Sequence, residues 1–344
     1  MYNLKIDFSV AMRFYLKILV IIDRIIGMGK FLSICLSSTI QRTVNFKKIA
    51  LENVNRSESY ILDASGKAVN SARVLNQLEP GCVTVICPLG KENKSVFLDL
   101  AENDELDVAA VEIPGKIREC WTLLDRSYGT TTELVVGEPV LNEDYNKFEE
   151  MLLSLIRQKV NDYDGIILAG SKPGYFSDGL VACIARLAVD SGKIFLADYC
   201  GKDLVLTLEL CTPSIIKINE EEFCRTFGLS GFIDKDHLKK AVAAKSLELN
   251  NVIIVTRGKN STIAAKNGEL YEFPTENVDA VNTTACGDSF SAGFLYEYVN
   301  TGDFETSLAK GTWCAARNAE SMRPGSIIKD YGLGSDSAVF VQTR

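Results

Sequence analysis

One short segment concentrates residue types that could carry out group transfer. It reads Asn-Thr-Thr-Ala-Cys-Gly-Asp-Ser-Phe-Ser-Ala-Gly-Phe over residues 282–294. Small residues there form a turn that leads into a helix with an apolar face. Backbone N–H groups at the start of a helix are unpaired and bind anions. The segment therefore predicts an anion site made by the N–H groups of Ala285, Cys286 and Gly287.

Asp288 follows this turn directly, where a carboxylate would repel a bound phosphate unless it takes part in the reaction. A carboxylate so placed can remove the proton from an attacking hydroxyl while the N–H groups hold the transferred phosphoryl group. The residues alone equally allow an ordinary glycine turn in which Asp288 only caps the helix. Both interpretations stay open at this point.

Two familiar phosphate-binding motifs are absent from the sequence. Ser65-Gly66-Lys67 is followed by Ala68 and lacks the upstream glycine of a Walker-type loop. No Gly-x-Gly-x-x-Gly pattern occurs either. Phosphate binding here would use neither a Walker-type loop nor a dinucleotide fold.

The elements that would position this segment alternate between apolar strands and amphipathic helices. The predicted core strands are Phe31–Leu36, Val83–Cys87, Gly165–Leu168, Ile194–Asp198, Ser214–Lys217 and Val252–Thr256. The predicted helices are Lys67–Gln77, Glu143–Lys159, Asp178–Asp190, Glu220–Phe227 and Asp234–Leu247. Continuous apolar strands alternating with helices indicate a parallel sheet covered on both faces.

Two stretches interrupt this alternation. Residues 43–62 and 118–136 each indicate paired, half-polar strands without a helix between them, which would form a small separate sheet or lid. A further hairpin is predicted at 261–273, with its turn at Asn267-Gly268. We expect one domain over residues 28–344, with residues 1–27 as an extension or a misassigned start.

Residues 1–27 contain an apolar stretch that charged residues interrupt. Lys17, Asp23 and Arg24 leave it too short and too charged for a membrane span, which takes roughly 20 apolar residues. A clear signal-peptide pattern is also lacking. We therefore expect no membrane association.

Composition excludes several other classes of protein. The 344 residues carry a net charge of −8, which argues against a nucleic-acid-binding surface. Ten cysteines are dispersed without a Cys-x-x-Cys pair, and His237 is the only histidine. These features argue against a zinc site and favour a reduced, cytoplasmic location.

Four blocks of the sequence, in order, resemble the ribokinase/PfkB family of carbohydrate kinases. Residues 282–294 are similar to the family's C-terminal signature, Asp-Thr-Thr-Gly-Ala-Gly-Asp. Asp63–Leu75 resembles the Gly-Gly-Lys-Gly-x-Asn-x-Ala-Arg-x-Leu block, Gly170–Gly174 the Gly-Ser-Leu-Pro segment, and Asn219–Glu222 the Asn-x-x-Glu motif. The most similar branch contains 1-phosphofructokinase and tagatose-6-phosphate kinase.

The resemblance implies a ribokinase-like α/β fold: a three-layer α/β/α sandwich with a mostly parallel central sheet and a small β-sheet lid. It also implies transfer of the γ-phosphoryl group of MgATP to a hydroxyl of a sugar phosphate. Asp288 would be the general base, and the Ala285–Gly287 turn would be the anion hole. A homodimer formed through the lid is a further implication.

The resemblance assigns further roles residue by residue. Substrate binding falls to Gln41, Gly66, Lys67, Asn70, Arg118 and Ser171, with Lys67, Arg118 and Ser171 directed at the phosphate of the sugar. ATP binding falls to Lys217, Arg257, Gly258 and Gly287, and Mg²⁺ binding to Asn219 and Glu222. Solvated surface charges (Lys67, Arg118) and an ordinary helix start (Asn219, Glu222) are the simpler alternatives.

Three positions depart from the family pattern. Gln41 stands where an aspartate usually contacts sugar hydroxyls, Ser65 replaces a glycine, and Ala285 replaces the first glycine of the anion hole. These departures leave two alternatives open. One is a kinase for a nucleoside or an unphosphorylated sugar, and the other is a non-catalytic sugar-phosphate sensor on the same fold.

Overall fold

A computed structural model describes residues 28–57, 60–136, 145–229 and 234–328. The strands are β1 (Phe31–Ile34), β2 (Thr39–Phe46), β3 (Tyr60–Ser65), β4 (Val83–Gly90), β5 (Asp107–Ile113), β6 (Arg118–Asp125), β7 (Thr130–Val135), β8 (Gly165–Ala169), β9 (Ile194–Asp198), β10 (Ile215–Asn219), β11 (Val252–Arg257), β12 (Asn260–Lys266) and β13 (Glu269–Phe273). The helices are α1 (Lys67–Leu78), α2 (Lys94–Glu102), α3 (Asn146–Lys159), α4 (Leu180–Asp190), α5 (Lys202–Leu210), α6 (Glu220–Thr226), α7 (Lys235–Leu249), α8 (Cys286–Thr301) and α9 (Phe304–Glu320).

The larger sheet has the strand order β13-β12-β11-β10-β9-β8-β1-β4-β5. The seven strands β11, β10, β9, β8, β1, β4 and β5 pair in parallel with their neighbours. Strands β12 and β13 continue the sheet beyond β11 in antiparallel pairs. The six predicted core strands are six adjacent strands of the parallel part. Their apolar runs follow from full burial, because helices cover both faces of a parallel sheet.

Helices cover the two faces of this sheet in two groups. On one face, α1, α2, α8 and α9 pack their apolar side chains against residues such as Phe31. On the other face, α3 to α7 pack against residues such as Leu32. Successive strand residues contribute to opposite faces. The three-layer α/β/α arrangement is thus confirmed.

The smaller sheet has the order β3-β2-β6-β7, with a parallel β2–β6 pair flanked by two antiparallel pairs. The two predicted hairpins are its two antiparallel pairs, but the first extends further than expected, from Thr39 to Ser65. In the β2–β3 pair, Gln41 lies opposite Asp63. The inward face of β2, β3 and β6 is largely buried, whereas all of β7 is exposed. Trp121 and Leu134 lie on the outward face and are partly exposed.

The parallel strands bring distant parts of the chain to one edge of the larger sheet. β1, β8, β9 and β10 all end there, and polar or small residues lie at or just beyond their ends: Ser37, Gly170, Asp198 and Asn219. In an open α/β sheet, the carboxyl edge of the strands is where ligands bind. Helix α8 packs on this sheet with its N-terminus toward that edge.

Candidate active site

The turn before helix α8 brings N–H groups and a lysine together. Ala285 has a left-handed backbone conformation with φ 65° and ψ 10°, which costs a residue with a side chain about 1–2 kcal/mol. A Cβ atom on Gly287 would lie 2.8 Å from Lys217 Nζ. Glycine at this position therefore leaves space for an ammonium group beside the helix N-terminus, and both would attract a phosphoryl group.

Asp288 lies in the first turn of α8 and is only 6% exposed. Its Oδ2 accepts a hydrogen bond of 2.9 Å from Nδ2 of Asn70. Burial raises the pKa of Asp288 to about 6, although the positive charge of Lys67 partly opposes this rise. The carboxylate is therefore ionised at neutral pH and is a stronger base than an ordinary aspartate, which suits proton abstraction from a hydroxyl.

Asp198, at the end of β9, holds two lysines at this site. Lys217 Nζ donates to Asp198 Oδ2 at 3.0 Å, and Ser291 Oγ donates to the same oxygen at 2.7 Å. Lys67 Nζ lies 3.7 Å from Oδ1. Burial alone would raise the pKa of Asp198, but Lys217 and Lys67 together lower it, so the group is charged. Two cations thus share one buried carboxylate and can attract an anionic substrate.

Asn219 and Glu222 form a capping box at the start of α6. Asn219 Oδ1 accepts from the Glu222 N–H, and Glu222 Oε2 accepts from the Asn219 N–H. Glu222 Oε1 lies 3.8 Å from Lys67 Nζ. Among the described residues, no group of three or more His, Cys, Asp or Glu side chains is placed to enclose a metal. The remaining carboxylate oxygen fits an Mg²⁺ ion held largely by water and nucleotide phosphate, which is how Mg²⁺ commonly binds.

The predicted sugar-binding residues lie around the start of α1 and on the smaller sheet. Gly66 has φ 126°, and a Cβ atom there would lie 2.7 Å from Cys35 Sγ, so the close turn into α1 requires glycine. Gln41 is buried and donates from Nε2 to Thr122 Oγ1 at 2.6 Å. Ser171 is exposed at the end of β8, and the adjacent Gly170 packs against the Lys67 side chain.

A recess lies between the end of β1, the end of β8 and the smaller sheet. It is lined by Leu36, Ser37, Ser38, Pro88, Ile117, Arg118, Pro173 and Tyr175. Arg118 Nε donates to Thr39 Oγ1 at 3.1 Å, which keeps the guanidinium beside this recess. A guanidinium flanked by serine hydroxyls has the chemistry of a phosphate or polyol site.

Arg257 ends β11, and Gly258 begins the connection to β12. Arg257 Nε lies 2.8 Å from Glu220 Oε2 in α6, and Gly258 has φ 60°. Strand β11 pairs with β10, so this connection lies at the same sheet edge as Asn219. Its role in nucleotide binding stays a prediction.

The structure gathers Asp288, Asn70, Lys67, Lys217 and Glu222 around Asp198. Sequence reasoning missed Asp198 as a functional residue, although its position at the end of a buried apolar strand was a usable signal. Ser291, one turn beyond Gly287, was also missed. Asp198 gave no stronger signal because its partners are distant in the sequence.

The described part of the chain includes no helix long and apolar enough to cross a bilayer. The cytoplasmic location expected from the cysteine pattern stays a prediction.

Comparison with solved structures identifies the class of fold. Phosphofructokinase-2 of Escherichia coli in complex with potassium superposes with a TM-score of 0.77 at 17% identity, covering 88% of this chain and 96% of that one. A possible 1-phosphofructokinase of Thermotoga maritima gives a TM-score of 0.76 at 17% identity, covering 86% and 93%. The ribokinase-like fold is therefore confirmed.

Sequence comparison identifies the family. The model of the "pfkB family carbohydrate kinase" matches residues 31–329. Tagatose-6-phosphate kinase of Staphylococcus epidermidis is 25% identical over 301 residues, covering 87% of this chain and 95% of that protein. The chain belongs to the pfkB family of carbohydrate kinases, and it is a phosphotransferase that acts on an alcohol group.

Proposed function

We propose that the protein transfers the γ-phosphoryl group of ATP to a hydroxyl of a sugar phosphate, with Asp288 as the general base. The observation that carries this proposal is the position of the Asp288 carboxylate. It is buried in the first turn of α8, beside the anion-binding turn, and hydrogen-bonded to Asn70. A base and an anion site adjacent to each other are what phosphoryl transfer to an alcohol requires.

In the proposed reaction, Asp288 takes the proton of the sugar hydroxyl as the hydroxyl oxygen bonds to the γ-phosphorus. The bond between that phosphorus and the bridging oxygen breaks, and ADP leaves with the electron pair. Lys217 and the N–H groups of Ala285 to Gly287 hold the phosphoryl group in transfer, and Lys67 adds positive charge. Mg²⁺, held through Glu222, water and the nucleotide, would supply further charge neutralisation.

Two features favour a sugar phosphate over an unphosphorylated acceptor. Arg118 borders a recess with serine hydroxyls at the smaller sheet, and a relative of similar length is named tagatose-6-phosphate kinase. Gln41, however, is uncharged, whereas the family usually has an aspartate at this position of the sugar site. A kinase for a nucleoside or free sugar is therefore the main alternative, and a non-catalytic sensor is the second.

The test is release of ADP from MgATP across a panel of hexose phosphates, free sugars and nucleosides. Asp288→Asn should lower kcat roughly 10²–10⁴-fold with the fold intact. Near-normal turnover in this variant would remove Asp288 from the reaction. If no member of the panel causes ADP release but a hexose phosphate still raises the melting temperature of the protein, a non-catalytic sensor would be favoured.

We also propose that the outward face of the smaller sheet joins two copies of the chain. Trp121 and Leu134 lie opposite each other in register on this face and are 39% and 50% exposed. The Arg42 guanidinium lies 5.4 Å from the ring centres of both Tyr60 and Trp121. A row of partly exposed aromatic and aliphatic side chains on a sheet is typical of a protein interface.

A further inference from the structure

Asn70 is bound on both ends of its side-chain amide. Ser65 Oγ and Arg73 Nη1 donate to Oδ1 of Asn70 at 2.9 and 3.2 Å. On the opposite end, Nδ2 of Asn70 donates to Asp288 Oδ2. Arginine has only donors and an ionised carboxylate has only acceptors. A reversed amide would therefore place its NH₂ group against the guanidinium and its oxygen against the carboxylate.

We propose that Arg73 and Ser65 are positioning residues that hold the amide of Asn70 in the one orientation that donates to Asp288. Neither side chain is required to touch substrate for this role. The inference rests on the proposed function of Asp288 as the base. Its effect is to keep one donor permanently at that carboxylate.

Arg73 is itself held rigidly. It is 1% exposed, its Nε donates to Asp104 Oδ2 at 2.8 Å, and its Nη1 also donates to the carbonyl of Pro324 at 3.0 Å. Nη2 donates to the carbonyl of Ala64. A guanidinium with this many fixed acceptors cannot swing away from Asn70.

The backbone of Asn70 is also confined. Gly325 packs against it so closely that a Cβ atom on Gly325 would lie 2.7 Å from Asn70 Cβ. Close packing thus surrounds the Cα and Cβ of Asn70, and Arg73 and Ser65 fix the orientation of its amide.

A fixed donor favours the ionised form of Asp288 and so opposes the effect of burial. Other charged or titratable groups near this carboxylate are Lys67 on α1, Asp198 on β9, Lys217 on β10 and Cys286 in the same turn. Burial raises the pKa of Cys286 to about 11, so that thiol is neutral at pH 7. Among the groups named here, only the contribution of Asn70 depends on Arg73 and Ser65.

The experiment measures the pKa of the Asp288 carboxyl by carbon-13 NMR titration of the full chain labelled at aspartate carboxyls. Asp288→Asn assigns the signal. Asn70→Ala gives the effect of losing the hydrogen bond outright, which we expect to be an upward shift of about one unit or more. Arg73→Lys should shift the pKa in the same direction, and Ser65→Ala by a smaller amount.

Ser71→Ala is the matched control, because Ser71 Oγ donates to the main-chain oxygen of Asp288 and not to its carboxylate. It should leave the pKa unchanged. The proposal is wrong if Asn70→Ala raises the pKa of Asp288 while Arg73→Lys and Ser65→Ala leave it unchanged. It is also wrong if Asn70→Ala itself leaves the pKa of Asp288 unchanged. Ser65→Ala decides alone if Arg73→Lys does not fold.

The same variants separate this inference from the proposed function. If Asp288→Asn retains turnover, Asp288 is not the base, whatever the titrations show. If Asp288→Asn is inactive and the titrations show no dependence on Arg73 or Ser65, the base assignment stands and the positioning role does not. A matching upward shift of the acid limb of the pH–rate profile in Ser65→Ala would support both.

Discussion

At neutral pH the carboxylate of Asp288 carries a charge although protein covers nearly all of its surface. Its pKa of about 6 in the folded chain exceeds the ordinary value of 3.8. The stability contributed by the neutral acid is therefore complete below about pH 4 and is lost as the pH rises through 6. A difference of about two units corresponds to about 3 kcal/mol. The proposed base is thus a residue at which function and stability oppose each other.

This opposition can be measured in Asp288→Asn. Because the amide is neutral at every pH, the variant should unfold at a higher temperature than the natural protein at pH 8. At pH 4 the two should unfold at nearly the same temperature. The measurement is thermal unfolding followed by circular dichroism at both values.

Asp303→Asn is the control, because the pKa of Asp303 is lowered in the folded protein whereas that of Asp288 is raised. Asp303 caps α9, and the hydrogen bond from the Thr306 N–H lowers the pKa of Asp303. This variant should not gain stability at pH 8. A melting temperature of Asp288→Asn at or below that of the natural protein at pH 8 would show that the buried charge has no cost.

Helix α8 has a glycine at each end, Gly287 and Gly302, and the two are required for different reasons. Gly287 in the first turn admits the Lys217 ammonium, whereas Gly302 follows the last turn with φ 71° and has no atom within 4 Å of an added Cβ. The first serves the spacing of charged groups. The second serves the left-handed conformation that ends a helix.

Gly287→Ala should therefore lower turnover, whereas Gly302→Ala should lower only the stability. In Gly287→Ala the methyl group displaces the Lys217 ammonium, which is paired with buried Asp198, so kcat should fall roughly tenfold or more. In Gly302→Ala the strained cap should cost about 1 kcal/mol with turnover unchanged. Steady-state kinetics and urea unfolding of both variants are the measurements, and equal loss of kcat in the two would contradict this division.

For the molecule as a whole, buried ion pairs connect its separate parts. Arg323, in the segment after α9, pairs with Asp63 of the smaller sheet at 2.6 Å and with Asp104 after α2 at 2.7 Å. Asp104 also pairs with Arg73 of α1. All four residues are at most 6% exposed. The smaller sheet is thereby fixed to the body that contains Asn70 and Asp288.

Arg323→Met should lower the free energy of unfolding by about 3–5 kcal/mol, because it leaves the buried carboxylates of Asp63 and Asp104 without a shared partner. The matched variant is Arg317→Met in α9, whose pairs with Glu276 and Glu320 are partly exposed. It should cost less than about 1 kcal/mol. Chemical denaturation compares the two, and similar losses would mean that burial of the Arg323 pairs contributes nothing.

The proposed pairing of two copies is also a property of the whole molecule. Trp121→Asp places a charge in the centre of the outward face and should convert the dimer to a monomer in sedimentation equilibrium. Trp313→Asp is the control, since Trp313 is comparably exposed, at 37%, but lies on α9. A natural protein that sediments as a monomer at micromolar concentration would refute the proposal.

The sequence predicted the interior of the fold better than its edges. Strands such as β9, which is apolar up to its terminal Asp198, were found because helices cover both of their faces. Strand β5, at the edge of the larger sheet, is only partly buried and includes Asp107 and Glu112, so it gave no apolar run. Helices α2 and α5 have only nine residues each, too few for a clear periodic pattern.

The same limit applies to the site. Asn70 and Asp288 were named from short motifs, and the structure places them in contact. Asp198 was missed because its partners lie at positions 67, 217 and 291, and no local pattern records such distances. Arg73 and Ser65 were seen only as parts of a motif, since their contact with Asn70 Oδ1 depends on how α1 follows β3.

The contacts of Arg73 and Arg323 also set an order of events during synthesis. Asp63 and Arg323 are 260 positions apart, and the Pro324 carbonyl and Gly325 complete the surroundings of Asn70. A growing chain that has passed Asp288 but not yet reached Arg323 contains Asn70, Ser65 and Arg73, but it lacks the Pro324 carbonyl that accepts from Arg73 and the Gly325 that packs against Asn70. The surroundings of Asn70, beside the proposed base, are therefore complete only after synthesis has passed Gly325.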